Sequence, residues 1–204
     1  MIALVDYGVG NLFSLTCSLK ALGLEAEVTR DPEKLRSADR IILPGVGAFE
    51  DAAKKLRATG LADVLKKLAG EGKPLLGICL GMQMLFEKSF EYGEHRGLGL
   101  IPGSVVAMSG RIPAELHIPH IGGNALHFTR ESPLFRDLKE GDCVYFVHSY
   151  YADNCTDSVT ATAEYGIPIT AAVERGNVFG CQFHPEKSGE AGLAILRAFC
   201  EMGA

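Results

Sequence analysis

Apolar and polar positions change period several times along this chain, and each change marks an element. Ile2–Val5 is a continuous apolar run that stops at Asp6 and the turn-like YGVGN. Four apolar residues bounded by turn residues read as a buried strand. Asn11 then stands as a helix cap before Leu12, Leu15, Leu19 and Leu22, whose spacing of three or four makes one helical face. Residues 25–29 and 40–43 read as further strands, the second ending in PGVG. Phe49, Ala52, Ala53 and Leu56 predict one helix, and Leu61, Val64, Leu65 and Leu68 predict another. A fourth strand, 74–78, runs into Cys79, and a helix from Leu80 through Met84 to Phe86 is expected to follow. Strands alternating with helices imply a parallel sheet covered on both faces.

Beyond about Gly97 the helical period gives way to short β-like runs at 104–108, 143–150, 158–163, 169–173 and 178–183. These predict a mixed or antiparallel extension of the sheet. A last helix is expected to carry Leu193, Leu196 and Cys200 on one face, with Ile195 and Phe199 beside it. No linker or repeat interrupts the pattern. The expected fold is therefore α/β, a three-layer sandwich with a mostly parallel central sheet, in a single domain over residues 1–204.

Composition narrows the function classes. Twenty Lys and Arg against 25 Asp and Glu leave a net charge of −5, and the basic residues are scattered rather than gathered in a stripe. That removes the electrostatic footprint of a nucleic-acid binder. The longest apolar stretch, around residues 75–86, is shorter than the roughly 18 residues of a membrane span, and the N-terminus lacks the basic start of a signal peptide. Six cysteines stand apart with no C-x-x-C pair, which points to reduced thiols in the cytoplasm rather than disulfides or zinc.

One of those cysteines has an unusual setting. In GICLGMQ, residues 77–83, Cys79 is flanked two positions away on each side by Gly77 and Gly81. A nucleophile that projects from the end of a strand sits on a sharp turn into a helix, and the turn crowds those two positions, so both must be small. The N–H of Leu80 could serve a developing oxyanion, and the following helix would favour thiolate over thiol. A buried thiol in a tight glycine turn is the plainer reading of this motif alone. In QFHPEKS, 182–188, His184 and Glu186 are two apart after a strand-like run. On extended backbone they share a side, so Glu186 could orient His184 while the other ring nitrogen meets a thiol. The loop at PGVG, 44–47, has N–H groups that could turn toward a substrate oxygen. His117, His120 and His148 form no metal-like spacing and are expected in packing or along a substrate wall.

PGVG, GICLGMQ and QFHPEKS, in that order, together resemble the class I, triad-type glutamine amidotransferases. More narrowly, the chain is similar to the glutaminase subunits of imidazole glycerol phosphate synthases in histidine biosynthesis. DYGVGNL (6–12), PGVGAF (44–49), the Met-Gln of GMQ, GLGLIPG (97–103), IPHIGGN (118–124) and YFVHSYY (145–151) carry that match nearly end to end. The resemblance implies that Cys79 attacks the side-chain amide of glutamine, His184 moves protons and Glu186 orients His184. It implies an oxyanion hole from the N–H groups of Leu80 and of Val46 or Gly47. It implies a glutamine pocket at Gly45, Gly47, Gln83, Ser149 and Tyr150, with neither cofactor nor metal. Ammonia would pass to a (β/α)8-barrel cyclase subunit in a heterodimer, which makes imidazole glycerol phosphate and an aminoimidazole carboxamide ribotide. Glutaminase subunits of anthranilate, aminodeoxychorismate or pyridoxal phosphate synthesis are the nearest alternatives, although the first two usually read GHQ at 81–83. A non-catalytic regulatory subunit on the same scaffold is another. One departure stands out: Gly123 occupies a position where the family usually has tryptophan near its partner, and the chain has no tryptophan.

Overall fold

The computed structural model describes residues 1–203. Its helices are α1 (Leu12–Ala21), α2 (Pro32–Ser37), α3 (Phe49–Ala58), α4 (Leu61–Gly70), α5 (Leu80–Met84) and α6 (Gly189–Glu201). Its strands are β1 (Ile2–Val5), β2 (Ala26–Thr29), β3 (Arg40–Leu43), β4 (Leu75–Ile78), β5 (Phe86–Ser89), β6 (His95–Arg96) and β7 (Ile101–Ala107). The remaining strands are β8 (His120–Ala125), β9 (His127–Phe128), β10 (Cys143–His148), β11 (Tyr150–Asp153), β12 (Val159–Glu164), β13 (Pro168–Arg175) and β14 (Val178–Cys181).

The central sheet has the order β2-β1-β3-β4-β14-β13-β12-β9. The first five of these run parallel, and β13, β12 and β9 are added antiparallel. Parallel strands are covered on both faces, and β1, β3, β4 and β14 are buried at every position. Helices α3 and α4 cover one face through Phe49, Leu56, Leu61, Leu65 and Leu68. Helices α1 and α6 cover the other through Leu15, Leu19, Ile195, Leu196 and Phe199. The fold is thus the expected α/β sandwich with a mostly parallel sheet and an antiparallel extension.

Several local expectations are corrected. Helix α5 stops at Met84, and Phe86 begins β5, which pairs with β7; an apolar run has no period to separate a strand from a buried helix. The runs at 104–108 and 143–150 do not extend the central sheet. β7 lies in a four-stranded sheet of order β11-β7-β5-β6, and β10 pairs only with β8. The run 143–150 is broken at Ser149, where the chain leaves one small sheet for the other. β14 belongs to the parallel core, beside β4. The short helix α2, capped by Asp31 and opened by Pro32, was not expected. On α6 the buried face is Gly192, Ile195, Leu196 and Phe199, rather than the row through Leu193 and Cys200.

Arg40, at the start of β3, is buried, and among the described residues no carboxylate pairs with it. Its guanidinium donates to the carbonyls of Phe199 (2.7 Å) and Met202 (2.5 Å) at the end of α6, where helix carbonyls lack intrahelical donors. Arg40→Met keeps the stem and removes both donors. It is expected to cost about 2–4 kcal/mol, read as a lower urea midpoint with an unchanged denaturant slope.

Candidate active site

Three adjacent parallel strands, β3, β4 and β14, end at the same edge of the sheet, where open α/β sheets place their ligand sites. Their register fixes what meets there. Leu43 pairs with Gly77, and Cys181 pairs with Ile78. The PGVG loop after β3, Cys79 after β4 and the QFHPEKS segment after β14 are therefore neighbours, though they lie far apart in sequence.

Cys79 has φ 54° and ψ −113°, a conformation that costs an L-residue of order 1–3 kcal/mol. The ladder holds it there, because the Cys79 N–H donates to the Cys181 carbonyl at 2.7 Å. Both flanking glycines are needed, but only Gly77 is crowded by the turn itself. A Cβ on Gly77 would lie 2.6 Å from the Gly81 carbonyl oxygen, and one on Gly81 would run into the Leu43 carbonyl. The bend leaves Cys79 lining a pocket of about 490 Å³ together with Val46, Gly47, Leu80, Gln83, Ser149, Tyr150 and His184. Helix α5, at five residues, has few aligned peptides, so its dipole adds less to the thiolate than a long helix would.

His184 is extended at φ −101°, ψ 99°, and Glu186 sits in the 3-10 turn Pro185–Lys187 rather than on extended backbone. The turn still delivers the carboxylate: His184 Nδ1 lies 2.8 Å from Glu186 Oε1, and both side chains are almost fully buried. The other ring nitrogen, Nε2, is buried without a hydrogen-bond partner. Burial is the largest influence on His184 and favours the neutral ring, but Cys79 and Glu186 outweigh it and raise the pKa to about 9. Cys79, His184 and Glu186 thus stand together as nucleophile, base and orienter would.

Two expected placements differ. Gly45 does not line the pocket; it is buried behind it, packed against Gly81 and the Tyr7 hydroxyl, which donates to the Pro44 carbonyl at 2.7 Å. The Leu80 N–H is not open toward the pocket either, because it donates to the Gly45 carbonyl at 3.3 Å. Gly47 has φ +95° with no neighbour around its missing Cβ, so the outer part of the loop has room. His148 lines the pocket as a wall. Burial lowers its pKa to about 4, with His120 and His184 acting the same way and its bond to the Tyr150 carbonyl acting against.

Two further residues at the site had no assigned part in the sequence reading. Gln182 follows β14 and places its Nε2 3.8 Å from Cys79 Sγ; its position opposite Cys79 follows from the β14–β4 register, which spacing alone does not give. Glu91 lines the pocket, and its carboxylate accepts the Phe49 N–H at 2.9 Å, at the start of α3, where Ala48 offers no side-chain cap. Burial raises the Glu91 pKa, partly offset by that N–H. No signal in the sequence links residue 91 to residue 79. At Gly123 an added Cβ would meet nothing, so the space where the family usually places a ring is open. Among the described residues no helix is long and apolar enough to cross a membrane.

Comparison with known proteins gives a consistent answer. Residues 3–202 match the family Glutamine amidotransferase class-I. A protein of Caldanaerobacter subterraneus subsp. tengcongensis, named imidazole glycerol phosphate synthase subunit HisH, is 50% identical over 203 residues, 99% of this chain and 98% of its own. A Bacillus velezensis protein of the same name is 50% identical over 207 residues, 100% of this chain and 97% of its own. A crystal structure of a glutamine amidotransferase superposes with a TM-score of 0.75 at 23% identity, covering 98% of this chain and all of the other, a likeness of fold. The chain belongs to the class I glutamine amidotransferases and, within them, to the HisH subunits of imidazole glycerol phosphate synthase.

Proposed function

We propose that this chain, as a single domain over residues 1–204, is a glutaminase that releases ammonia for a (β/α)8-barrel cyclase. The observation that carries the reading is the Cys79–His184–Glu186 arrangement. A cysteine on a strained bend shares a pocket with an imidazole whose Nδ1 is held by a buried carboxylate and whose Nε2 has no partner. In this reading His184 takes up the Cys79 thiol proton as Sγ attacks the side-chain carbonyl carbon of glutamine. The C–N bond breaks as His184 gives a proton to the departing nitrogen, and a thioester forms. Water, deprotonated by His184, then attacks the thioester; the sulfur leaves and glutamate is released. Each step balances without an oxidant, a cofactor or a metal.

Gln83 supports the pocket assignment. Its amide N–H groups are committed to the Tyr150 carbonyl (3.1 Å) and Gln182 Oε1 (3.0 Å), so its own oxygen is the group left for a substrate N–H. Glu91 suits the α-ammonium of an amino acid. Glu91→Gln is expected to raise the KM for glutamine about ten- to a hundredfold, a loss of about 1.5–3 kcal/mol, with a smaller change in kcat. Steady-state kinetics with the cyclase present checks it, and an unchanged KM would remove Glu91 from the reading.

The partner is supported by the mouth of the pocket, where Val46, Tyr92 and Ile118 are exposed apolar residues on the lining itself. Ile121, on β8 three residues beyond Ile118, is exposed as well. Clustered exposed apolar side chains mark an interaction surface, and the relatives are named as subunits of a synthase. The test is glutamate formation by the chain alone, then with a (β/α)8-barrel cyclase and its nucleotide substrate. Glutaminase activity that a liganded barrel leaves unchanged would sink the proposed delivery.

A further inference from the structure

The orientation of two buried carboxamides near Cys79 is forced by one backbone group. The Tyr150 carbonyl can only accept. Gln83 lies 3.1 Å from it, so the Gln83 amide must turn its nitrogen there. That nitrogen is also 3.0 Å from the Gln182 carboxamide, and it can meet only the oxygen of that group. The Gln182 nitrogen is then left pointing at Cys79 Sγ, 3.8 Å away, within reach for a sulfur acceptor. His148 Nδ1 contacts the same Tyr150 carbonyl at 2.8 Å, so both lone pairs of that oxygen are used. The Gln182 side chain is fully buried. Its backbone is pinned by the N–H bond to the Ala171 carbonyl at 2.9 Å.

We infer that Gln182 is a positioning residue for the nucleophile, its side-chain N–H directed at the Cys79 sulfur by the relay Tyr150 carbonyl–Gln83–Gln182. A donor of fixed direction favours the charged sulfur over the neutral one, and it gives the sulfur a fixed contact on its buried side. In a helix as short as α5 this side chain supplies what the dipole does not. The inference rests on Cys79 being the nucleophile.

The experiment is the pH profile of Cys79 alkylation by iodoacetamide in the full chain, resolved by peptide mass mapping through the range in which thiols titrate. The exposed Cys17 and Cys143 are internal standards. Gln182→Glu keeps the size and still accepts from Gln83, but at alkaline pH it offers the sulfur a negative oxygen in place of a hydrogen. Its Cys79 profile is expected to move to higher pH by about one unit or more, roughly a tenfold slower reaction on the acid side, with the Cys17 and Cys143 profiles fixed. Gln182→Met, which buries no charge, is expected to move it in the same direction by less. Unshifted Cys79 profiles in both variants, with normal reactivity in the parent, overturn the role of Gln182 alone. A parent whose Cys79 resists alkylation throughout overturns the nucleophile assignment, and this inference with it.

Discussion

Cys79→Ala is expected to lower glutamate formation by at least about 10³-fold, measured with the liganded cyclase present, while leaving the chain folded. The size of the loss follows from covalent chemistry. Without Sγ no thioester can form, and the remaining groups can only assist water attack on an unactivated amide. Folding should survive because alanine meets the φ of 54° with the same Cβ as cysteine, and the clashes that matter at this bend fall on Gly77 and Gly81. The variant also gives a readout independent of turnover. In the parent, Cys79 and Glu186 together raise the His184 pKa to about 9 against the burial that lowers it. With the sulfur gone, one of the two upward influences is lost, so the ring is expected to titrate at lower pH. Because a raised histidine pKa stabilises the fold below the unfolded value and is lost as pH rises through the folded one, the parent should lose this contribution between about pH 6.5 and pH 9. The variant should lose it at lower pH. NMR titration of the His184 ring checks the shift. An unshifted His184 together with unchanged glutaminase activity would remove Cys79 from the site.

Most of the parallel half of the fold was legible because its elements are local and regular. Asn11 caps α1 as its spacing suggests, and the apolar rows of α3 and α4 fall on the residues that the core buries, apart from Val64, which is only half-buried. Gly77 was legible for a local steric reason, the crowding of the turn itself, whereas what crowds Gly81 is the Leu43 carbonyl of β3, which no local pattern shows. What was not legible depends on pairing between distant segments. Phe86 looks like the end of a helix until β7 pairs with it. Residues 143–150 look like one strand until β10 and β11 are claimed by different sheets, and the break at Ser149 is what sets Ser149 and Tyr150 at the pocket. Gln182 and Glu91 belong to the same class: one is placed by the β14–β4 register, the other by a backbone N–H of α3. The proposed oxyanion loop is a further case, since the sequence offers candidate donors but not the direction in which each peptide plane faces.

That direction leads to the second large effect. The free chain is expected to hydrolyse glutamine at least about 10²- to 10³-fold more slowly than its complex with the liganded cyclase, because the loss of even one oxyanion donor costs that much. The Leu80 N–H is occupied by the Gly45 carbonyl, so the peptide between Gly45 and Val46 presents an oxygen where a developing oxyanion needs hydrogens. Turning that single plane over would release the Leu80 N–H and bring the Val46 N–H into the same place, giving two donors at once. The loop is built for such a turn: Gly47 has open space around it, Val46 is exposed, and the Tyr7 hydroxyl holds Pro44 at the base. A partner seated over the exposed Val46 could favour the turned form by contacts the free chain lacks, which is the differential binding that any such shift requires. Val46→Pro removes the N–H that the turned plane would offer. Its expected signature is specific: slow turnover by the free chain persists, because that turnover never used the Val46 N–H, while activation by the liganded barrel falls by about 10²- to 10³-fold, the share of that one donor. Full activation of Val46→Pro would place the second oxyanion donor elsewhere, with the Gly47 N–H the next candidate.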